Sequence, residues 1–184
     1  RCLHICPRDL VSVAGVEWDS EELAKKLLSQ ADFLSSVGGG VTFSGGECLL
    51  QADFVTAVLT RAKAAGLHCA VDTAGFVPWT FIEKTLDCCD LYLYDVKCMD
   101  PTRHKTYTGA DNALILDNLR RLSACGKEIW IRVPVIPDFN DGDELERIKD
   151  FCAKRALECE LLPYHEFGID KKAALESFLE KNRG

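Results

Sequence analysis

Residues 38 to 49 read GGGVTFSGGECL, in which five glycines surround a short apolar run. The run VTF predicts a strand, and the glycines on either side predict sharp turns, because glycine has no Cβ and adopts conformations closed to other residues. Gly45 and Gly46 follow the strand directly, so their backbone can approach a ligand, and the carboxylate of Glu47 adds an acceptor. The alternative is a plain loop whose glutamate stabilises a helix N-terminus. A phosphate-binding loop is excluded, since the GK[ST] ending is missing.

Strands and helices alternate along the rest of the chain. Later strands are predicted in LHCAVDTAG, DLYLYDVK, EIWIRVPVIP and LECELLPY, and helices over residues 19–33, 50–65, 78–86, 111–125, 143–155 and 171–182. This alternation predicts βαβ units with right-handed crossovers, and hence an α/β fold with a parallel sheet. Five strands fit either a partial (β/α) barrel or an open doubly wound sheet.

The composition indicates one ordinary domain. The chain has 184 residues, of which 47% are hydrophobic, which is enough to bury a full core. Its formal net charge is −7 and it has no block of basic residues, so no nucleic-acid partner is expected. No apolar run approaches the roughly 18 residues that span a bilayer. The sequence therefore predicts a cytoplasmic protein without a membrane partner.

Ten cysteines are many for such a chain, and two of them have the spacing of metal ligands. Cys2-x3-Cys6-Pro7 matches the end of the iron–sulfur pattern C-x2-C-x2-C-x3-C-P, although two cysteines leave a 4Fe–4S site incomplete. The alternative is a pair of unrelated cysteines at a flexible end. The other eight are predicted to pack as small hydrophobes, most of them within apolar or helical patterns: Cys69, Cys88, Cys125, Cys152 and Cys159.

Polar residues stand at the carboxyl end of each predicted strand. They are Gly45-Gly46-Glu47, Asp72-Thr73, Asp95-Val96-Lys97, Arg132, and Tyr164-His165-Glu166. In parallel α/β folds this edge of the sheet binds ligands, so the pattern predicts a binding site for a shared polar ligand or a cation.

Each of these residues also has a structural interpretation. Asp72 can cap the next turn, Asp95 can bond to Lys97, and His165 can be a satisfied core histidine. Arg132 is difficult to bury without an anionic partner, and a ligand carboxylate would serve as that partner.

Five segments in order carry a family resemblance: GGGVTFSGGECLLQ, VDTAGF, LYDVK, WIRVPVIP and LLPYHEFG. Together they closely resemble the activating enzymes of glycyl-radical enzymes, the pyruvate formate-lyase-activating enzyme family of the radical S-adenosylmethionine (SAM) superfamily. The match runs from Cys2 to about Gly168. It implies a partial (β/α)6 barrel, of which residues 16–184 supply the last five units. It also implies a 4Fe–4S cluster, held by three cysteines, at which SAM is reductively cleaved to a 5′-deoxyadenosyl radical.

The resemblance implies a partner and a set of site residues. The radical removes a hydrogen from a glycine of a glycyl-radical enzyme such as pyruvate formate-lyase, with electrons from a flavodoxin- or ferredoxin-type donor. By position, Gly45, Gly46 and Glu47 would hold the amino group of SAM. Asp72, Thr73 and Asp95 would surround its carboxylate, together with a monovalent cation. The rest of SAM would contact the remaining cofactor-binding positions, which are Val96, Lys97, Arg132 and His165.

The sequence departs from the family in two ways. The cluster motif C-x3-C-x2-C is absent, so this chain alone is expected to be inactive, as a fragment of a longer protein. Cys48 follows the GGE triplet where the family has proline or a small residue, which we expect to be tolerated. Residues 1–15, with Cys2 and Cys6, resemble the end of a ferredoxin-like insertion. The alternatives are a free-standing SAM- or metabolite-binding domain without redox chemistry, and a scaffold that uses this edge for protein contacts only.

Overall fold

The computed structural model describes residues 15–163, which contain one five-stranded sheet with helices between its strands. The strands lie in chain order and every neighbouring pair is parallel. Their bounds are β1 (Gly40–Phe43), β2 (His68–Thr73), β3 (Leu91–Asp95), β4 (Glu128–Pro134) and β5 (Glu158–Leu162). The predicted α/β fold with a parallel sheet is confirmed.

Seven α-helices and one 3₁₀ helix accompany these strands in the described part of the chain. The helices are α1 (Ser20–Leu28), α2 (Ala31–Ser36), α3 (Ala52–Ala64), α4 (Trp79–Glu83), α5 (Pro101–Thr108), α6 (Ala113–Ala124) and α7 (Asp143–Ala153), and the 3₁₀ helix is Cys48–Gln51. None of the helices within residues 15–163 has the length and apolar character that a bilayer crossing demands. The predicted helix over 171–182 lies outside the described residues.

Two helix predictions need correction. The single helix predicted over 19–33 is two helices, α1 and α2, separated at Ser29 and Gln30. Helix α5 was not predicted, because only His104 of its eight residues is buried and no apolar stripe marks it. Its start is nevertheless encoded locally. The side chain of Asp100 accepts a hydrogen bond from the Arg103 backbone amide at 2.7 Å, and Pro101 occupies the first turn.

The core lies on one face of the sheet, because side chains along a strand alternate between its two faces. Val71, Tyr92, Ile131 and Val133 are fully buried in one cluster with residues from the helices. The side chains between them, such as Asp72, Asp95 and Arg132, point to the opposite face and stay partly exposed. The strand ends therefore deliver their polar groups to the face that the core does not use.

Most cysteines in the described part of the chain are packing residues, as predicted. Cys69, Cys88 and Cys152 are buried. Cys89 and Cys98 are buried as well, whereas Cys48 and Cys159 are half-buried. The prediction is wrong for Cys125, which is exposed. This residue directly follows the last turn of α6 and its thiol donates to the Arg121 carbonyl at 3.3 Å. Cys2 and Cys6 lie outside the described residues.

Candidate functional site

The glycine pair after β1 forms one open wall of the site. Gly45 has φ of 127°, a conformation that favours glycine. A Cβ added at Gly45 or Gly46 would meet no other atom within 4 Å, so nothing in the described protein fills the space beside this backbone. Ser44, directly before the pair, donates a hydrogen bond to Asp72 Oδ2 at 2.9 Å. The turn is thereby attached to the end of β2.

Two ion pairs stand at the ends of the next three strands. Arg132 of β4 reaches across β3 and places Nη1 3.2 Å from Asp72 Oδ2 on β2. Lys97, just after β3, places Nζ 2.9 Å from Asp95 Oδ2. All four side chains are between 23% and 32% exposed, so each pair is partly desolvated yet reachable from solvent. Partial burial strengthens the attraction within each pair relative to that of a fully exposed ion pair.

Both cations keep donors that the described residues do not use. Lys97 Nζ donates only to Asp95, so two of its three hydrogens remain for another acceptor. Arg132 directs Nη1 to Asp72, while its Nε lies 3.6 Å from Glu160 Oε2 without a hydrogen bond. No residue within 15–163 accepts a hydrogen bond from Nη2. An anionic ligand group would find free donors here.

These residues enclose one cavity of about 270 Å³. This volume lies just below the roughly 300–1,000 Å³ usual for small-molecule sites. Two carboxylates and two cations line it, so its formal charge balances. The full lining is Gly45, Gly46, Asp72, Thr73, Ala74, Asp95, Lys97, Arg132, Pro134 and Leu162. A cavity of this kind suits a ligand that carries both charges, such as an amino acid.

Glu47 lies behind this cavity rather than in its lining. Its carboxylate accepts hydrogen bonds from Thr73 Oγ1 at 2.8 and 2.9 Å, from the Ala74 amide at 3.1 Å and from the Leu49 amide at 3.2 Å. Glu47 thus caps the 3₁₀ helix and joins the turn after β1 to the turn after β2. A carboxylate offers about four acceptor positions, so few remain for a ligand.

The remaining predicted residues are placed differently. Val96 is 2% exposed, and its backbone amide donates to the Arg132 carbonyl at 3.0 Å, so its side chain belongs to the core. His165 lies outside the described residues. The sequence analysis missed Ala74, Pro134 and Leu162 as lining residues. Each is apolar and lies within a segment predicted as a strand; Ala74 could have been found, since it directly follows Asp72-Thr73.

Cys48 is not a reactive group of the site. Its thiol donates weakly to the carbonyls of Phe43, at 3.6 Å, and Asp72, at 3.5 Å. Burial, with smaller contributions from the charges of Glu47 and Asp72, raises the pKa of the Cys48 thiol to about 12. The thiolate, which is the nucleophile and metal ligand, is therefore scarce at neutral pH.

The described residues do not fit an iron–sulfur cluster. Within residues 15–163 no group of three or more His, Cys, Asp or Glu side chains could hold a metal ion. The predicted monovalent cation has no support either, because Asp72 and Asp95 each already have a cationic side chain as partner. That cation stays a prediction.

A larger hollow of about 440 Å³ lies towards the amino-terminal ends of β4 and β5. Its polar lining consists of Glu128, Glu158, Glu160 and the indole of Trp130, whose Nε1 donates to Glu128 at 3.1 Å. Among residues 15–163, no cationic side chain lines it. The smaller cavity, with its paired charges at the carboxyl ends of the strands, is the better candidate for a functional site.

Comparisons with known proteins show the family of this chain. Residues 6–152 match the model of the Radical SAM superfamily. The chain is 38% identical over 177 residues to pyruvate formate-lyase-activating enzyme of Clostridium pasteurianum, covering 93% of this chain and 73% of that protein. It is also 38% identical over 164 residues to trans-4-hydroxy-L-proline dehydratase activating enzyme of Clostridioides difficile, covering 86% of this chain and 54% of that protein.

The fold of this chain is similar to that of a solved crystal structure. It is the crystal structure of a domain of pyruvate-formate lyase-activating enzyme from Bacteroides vulgatus, with a TM-score of 0.63 and 37% sequence identity. The alignment covers 70% of this chain and 82% of that one. The chain nevertheless spans little more than half the length of some curated relatives. It covers 54% of the trans-4-hydroxy-L-proline dehydratase activating enzyme and 58% of the isethionate sulfite-lyase activating enzyme of Oleidesulfovibrio alaskensis.

Proposed function

The chain belongs to the radical SAM superfamily and, within it, to the activating enzymes of glycyl-radical enzymes, and we propose that it forms the SAM-binding part of such an enzyme. The observation that carries this proposal is the cavity with balanced charge at the ends of β2, β3 and β4. The methionine end of SAM is a zwitterionic amino acid. Its carboxylate would take the unused donors of Lys97 and Arg132.

The ammonium group of SAM would lie on the opposite wall of the cavity, beside Gly45 and Gly46. The open space there admits a ligand close to the backbone. Since hydrogen bonds from protein groups occupy most of the acceptor positions of Glu47, we propose that this side chain mainly fixes the turn that receives the ammonium. Direct contact between Glu47 and the amino group stays a prediction.

For the whole protein we propose hydrogen-atom transfer from a glycine of a partner glycyl-radical enzyme to the 5′-deoxyadenosyl radical derived from SAM. The products are 5′-deoxyadenosine and a glycyl radical on the partner. The reduction that cleaves SAM needs an iron–sulfur cluster, for which residues 15–163 provide no cysteine set. We therefore assign to this chain the binding and orientation of SAM and no step of its reduction. A flavodoxin- or ferredoxin-type electron donor, and the inactivity of this chain alone, are part of the same proposal.

The first experiment tests the site itself. SAM is titrated into the 184-residue chain and followed by NMR chemical shifts, which also report weak binding. Arg132→Met should weaken SAM binding by roughly 10-fold or more, because it removes a charge-assisted contact. The matched control is Lys84→Met, which removes a cation paired with Asp53 outside the cavity and should leave affinity unchanged. Equal affinities of the two variants, or no binding by the unaltered chain, would contradict the proposed site.

The second experiment tests the activity. An extended protein that carries a C-x3-C-x2-C segment before this chain is loaded with iron and sulfide, reduced, and assayed for 5′-deoxyadenosine. Reductive cleavage of SAM supports the activating-enzyme function. SAM binding without cleavage in the loaded protein favours instead a SAM-binding domain without redox chemistry.

A further inference from the structure

The loop that follows β3 holds Lys97 at the cavity and has no regular secondary structure. It runs over residues 96–100, between β3 and α5. Backbone amides and carbonyls in such a loop must find partners outside a helix or sheet ladder. Buried polar side chains from three other places in the chain provide them.

Asn140 is the first of these side chains and is fully buried. Its Nδ2 donates to the carbonyl of Lys97 at 2.7 Å and to the carbonyl of Pro134 at 2.9 Å. Its Oδ1 accepts from the Ile136 amide at 2.7 Å. Lys97 and Pro134 both line the cavity, so one side-chain amide connects two of its walls.

Asn112 holds the next residue of the loop. It is 2% exposed, and its Nδ2 donates to the Cys98 carbonyl at 2.7 Å.

Glu144 of α7 holds the last two residues. Its Oε2 accepts from the backbone amides of Met99 at 2.7 Å and Asp100 at 3.0 Å, and from the Cys98 thiol at 3.1 Å. Its Oε1 pairs with Arg147 at 2.9 Å. Each of the four consecutive residues 97–100 therefore has a backbone group bonded to a buried polar side chain.

We propose that Asn112, Asn140 and Glu144, the loop cage, are positioning residues that hold the Lys97 ammonium in place for the SAM carboxylate. None of the three lines the cavity, so their effect passes through the loop and, for Asn140, also through Pro134. Burying a carboxylate and two amides is unfavourable unless they are hydrogen-bonded, and here each of the three side chains bonds to the one loop that carries Lys97. A rigid loop lowers the entropy lost when the ligand binds. This inference rests on the proposed function.

A double-mutant cycle tests the loop cage. SAM affinity is measured by NMR titration for the unaltered chain, Asn140→Ala, Lys97→Met and the double variant. Asn140→Ala should weaken binding by about 10-fold in the unaltered chain and by less than about 2-fold once Lys97 is methionine, because coupled residues are not additive. Equal weakening in both backgrounds overturns the positioning role.

Two further measurements separate positioning from general destabilisation. Thr85→Val removes a fully buried hydroxyl that bonds to Ile82 and Tyr92, neither of which lines the cavity. It should lower stability without changing SAM affinity; an affinity loss as large as that of Asn140→Ala overturns the proposal. Glu144→Gln should accelerate hydrogen exchange of the Met99 and Asp100 amides, and unchanged exchange also overturns it.

The outcomes distinguish the two proposals. If the unaltered chain binds SAM but the cycle is additive, the loop cage fails and the proposed function stands. If the unaltered chain binds no SAM while hydrogen exchange responds as expected, the proposed function fails and the loop cage loses its role in ligand binding with it.

Discussion

Replacing Gly75 with alanine should lower the free energy of unfolding by about 2–5 kcal/mol. Gly75 has φ of 68°, where an L side chain costs about 1–2 kcal/mol. A Cβ built there would also overlap Oη and Cζ of Tyr94. That ring cannot easily move, because it is fully buried and its hydroxyl donates to the Ile115 carbonyl at 2.8 Å. Overpacking of this kind adds about 1–3 kcal/mol.

The backbone of Gly75 is equally constrained. Its amide donates to Thr73 Oγ1 and its carbonyl accepts from Asn118 Nδ2, both at 2.9 Å. Neither Gly75 nor Tyr94 can therefore shift at low energetic cost. The cost of a side chain at positive φ and the cost of the overlap with Tyr94 should add.

Urea-induced unfolding of the 184-residue chain measures this loss, and Gly66 provides the control. Gly66 also has positive φ, 80°, but a Cβ there meets no atom within 4 Å. Gly66→Ala should therefore lose only the backbone contribution of about 1–2 kcal/mol. The same loss in both variants would refute the overlap with Tyr94 as the reason for a glycine at position 75.

Three more predictions concern a buried carboxylate, two thiols and a buried hydroxyl. Burial raises the pKa of Glu144, but hydrogen bonds from the Cys98 thiol and two backbone amides, with the charge of Arg147, together lower the pKa below its ordinary 4.5. The stability that Glu144 contributes is therefore present above pH 4.5 and is lost as pH falls further. Below pH 4.5 the unaltered chain should lose free energy of unfolding more steeply than Glu144→Gln in urea titrations; parallel curves contradict this. Iodoacetamide at neutral pH should modify the exposed Cys125 well before Cys48, because burial raises the pKa of the Cys48 thiol to about 12. Peptide mass mapping measures the two rates of modification, and equal rates would contradict this prediction. Thr73→Val removes a hydroxyl that donates to the Glu47 carboxylate and should lower the free energy of unfolding by about 1.5–3 kcal/mol. Thr73→Ser keeps the hydroxyl and should retain most of that free energy. Equal stabilities of the two variants in urea unfolding would argue against a stabilising role of this bond.

Local patterns predict the sheet and most of the cavity. Asp72 and Asp95 follow apolar runs near the ends of β2 and β3, and the parallel arrangement brings them to one edge together with Arg132 of β4. The predicted bond between Asp95 and Lys97 is confirmed at 2.9 Å, with both side chains still at the cavity. These features depend on neighbours in sequence and on one general rule of topology.

The loop cage escapes such patterns for a physical reason. Asn140 bonds to a carbonyl 43 positions away, and Glu144 to amides 45 and 44 positions away. In sequence these residues stand in FNDGDE, which resembles any polar loop before a helix. Only the tertiary structure shows that Asn140 and Glu144 are buried and that they bond to the loop after β3. The same holds for Glu47, whose main partners lie 26 and 27 positions away.

The order of the strands in the sheet is also their order in the chain. Each new strand can therefore dock on the one made just before it, without waiting for a distant segment or threading between two strands already paired. During synthesis the sheet can grow from β1 to β5 as the chain emerges, and the described lining of the cavity is complete only when β5 contributes Leu162. A chain interrupted before β5 would contain most of the sheet but would lack the part of the cavity that Leu162 lines.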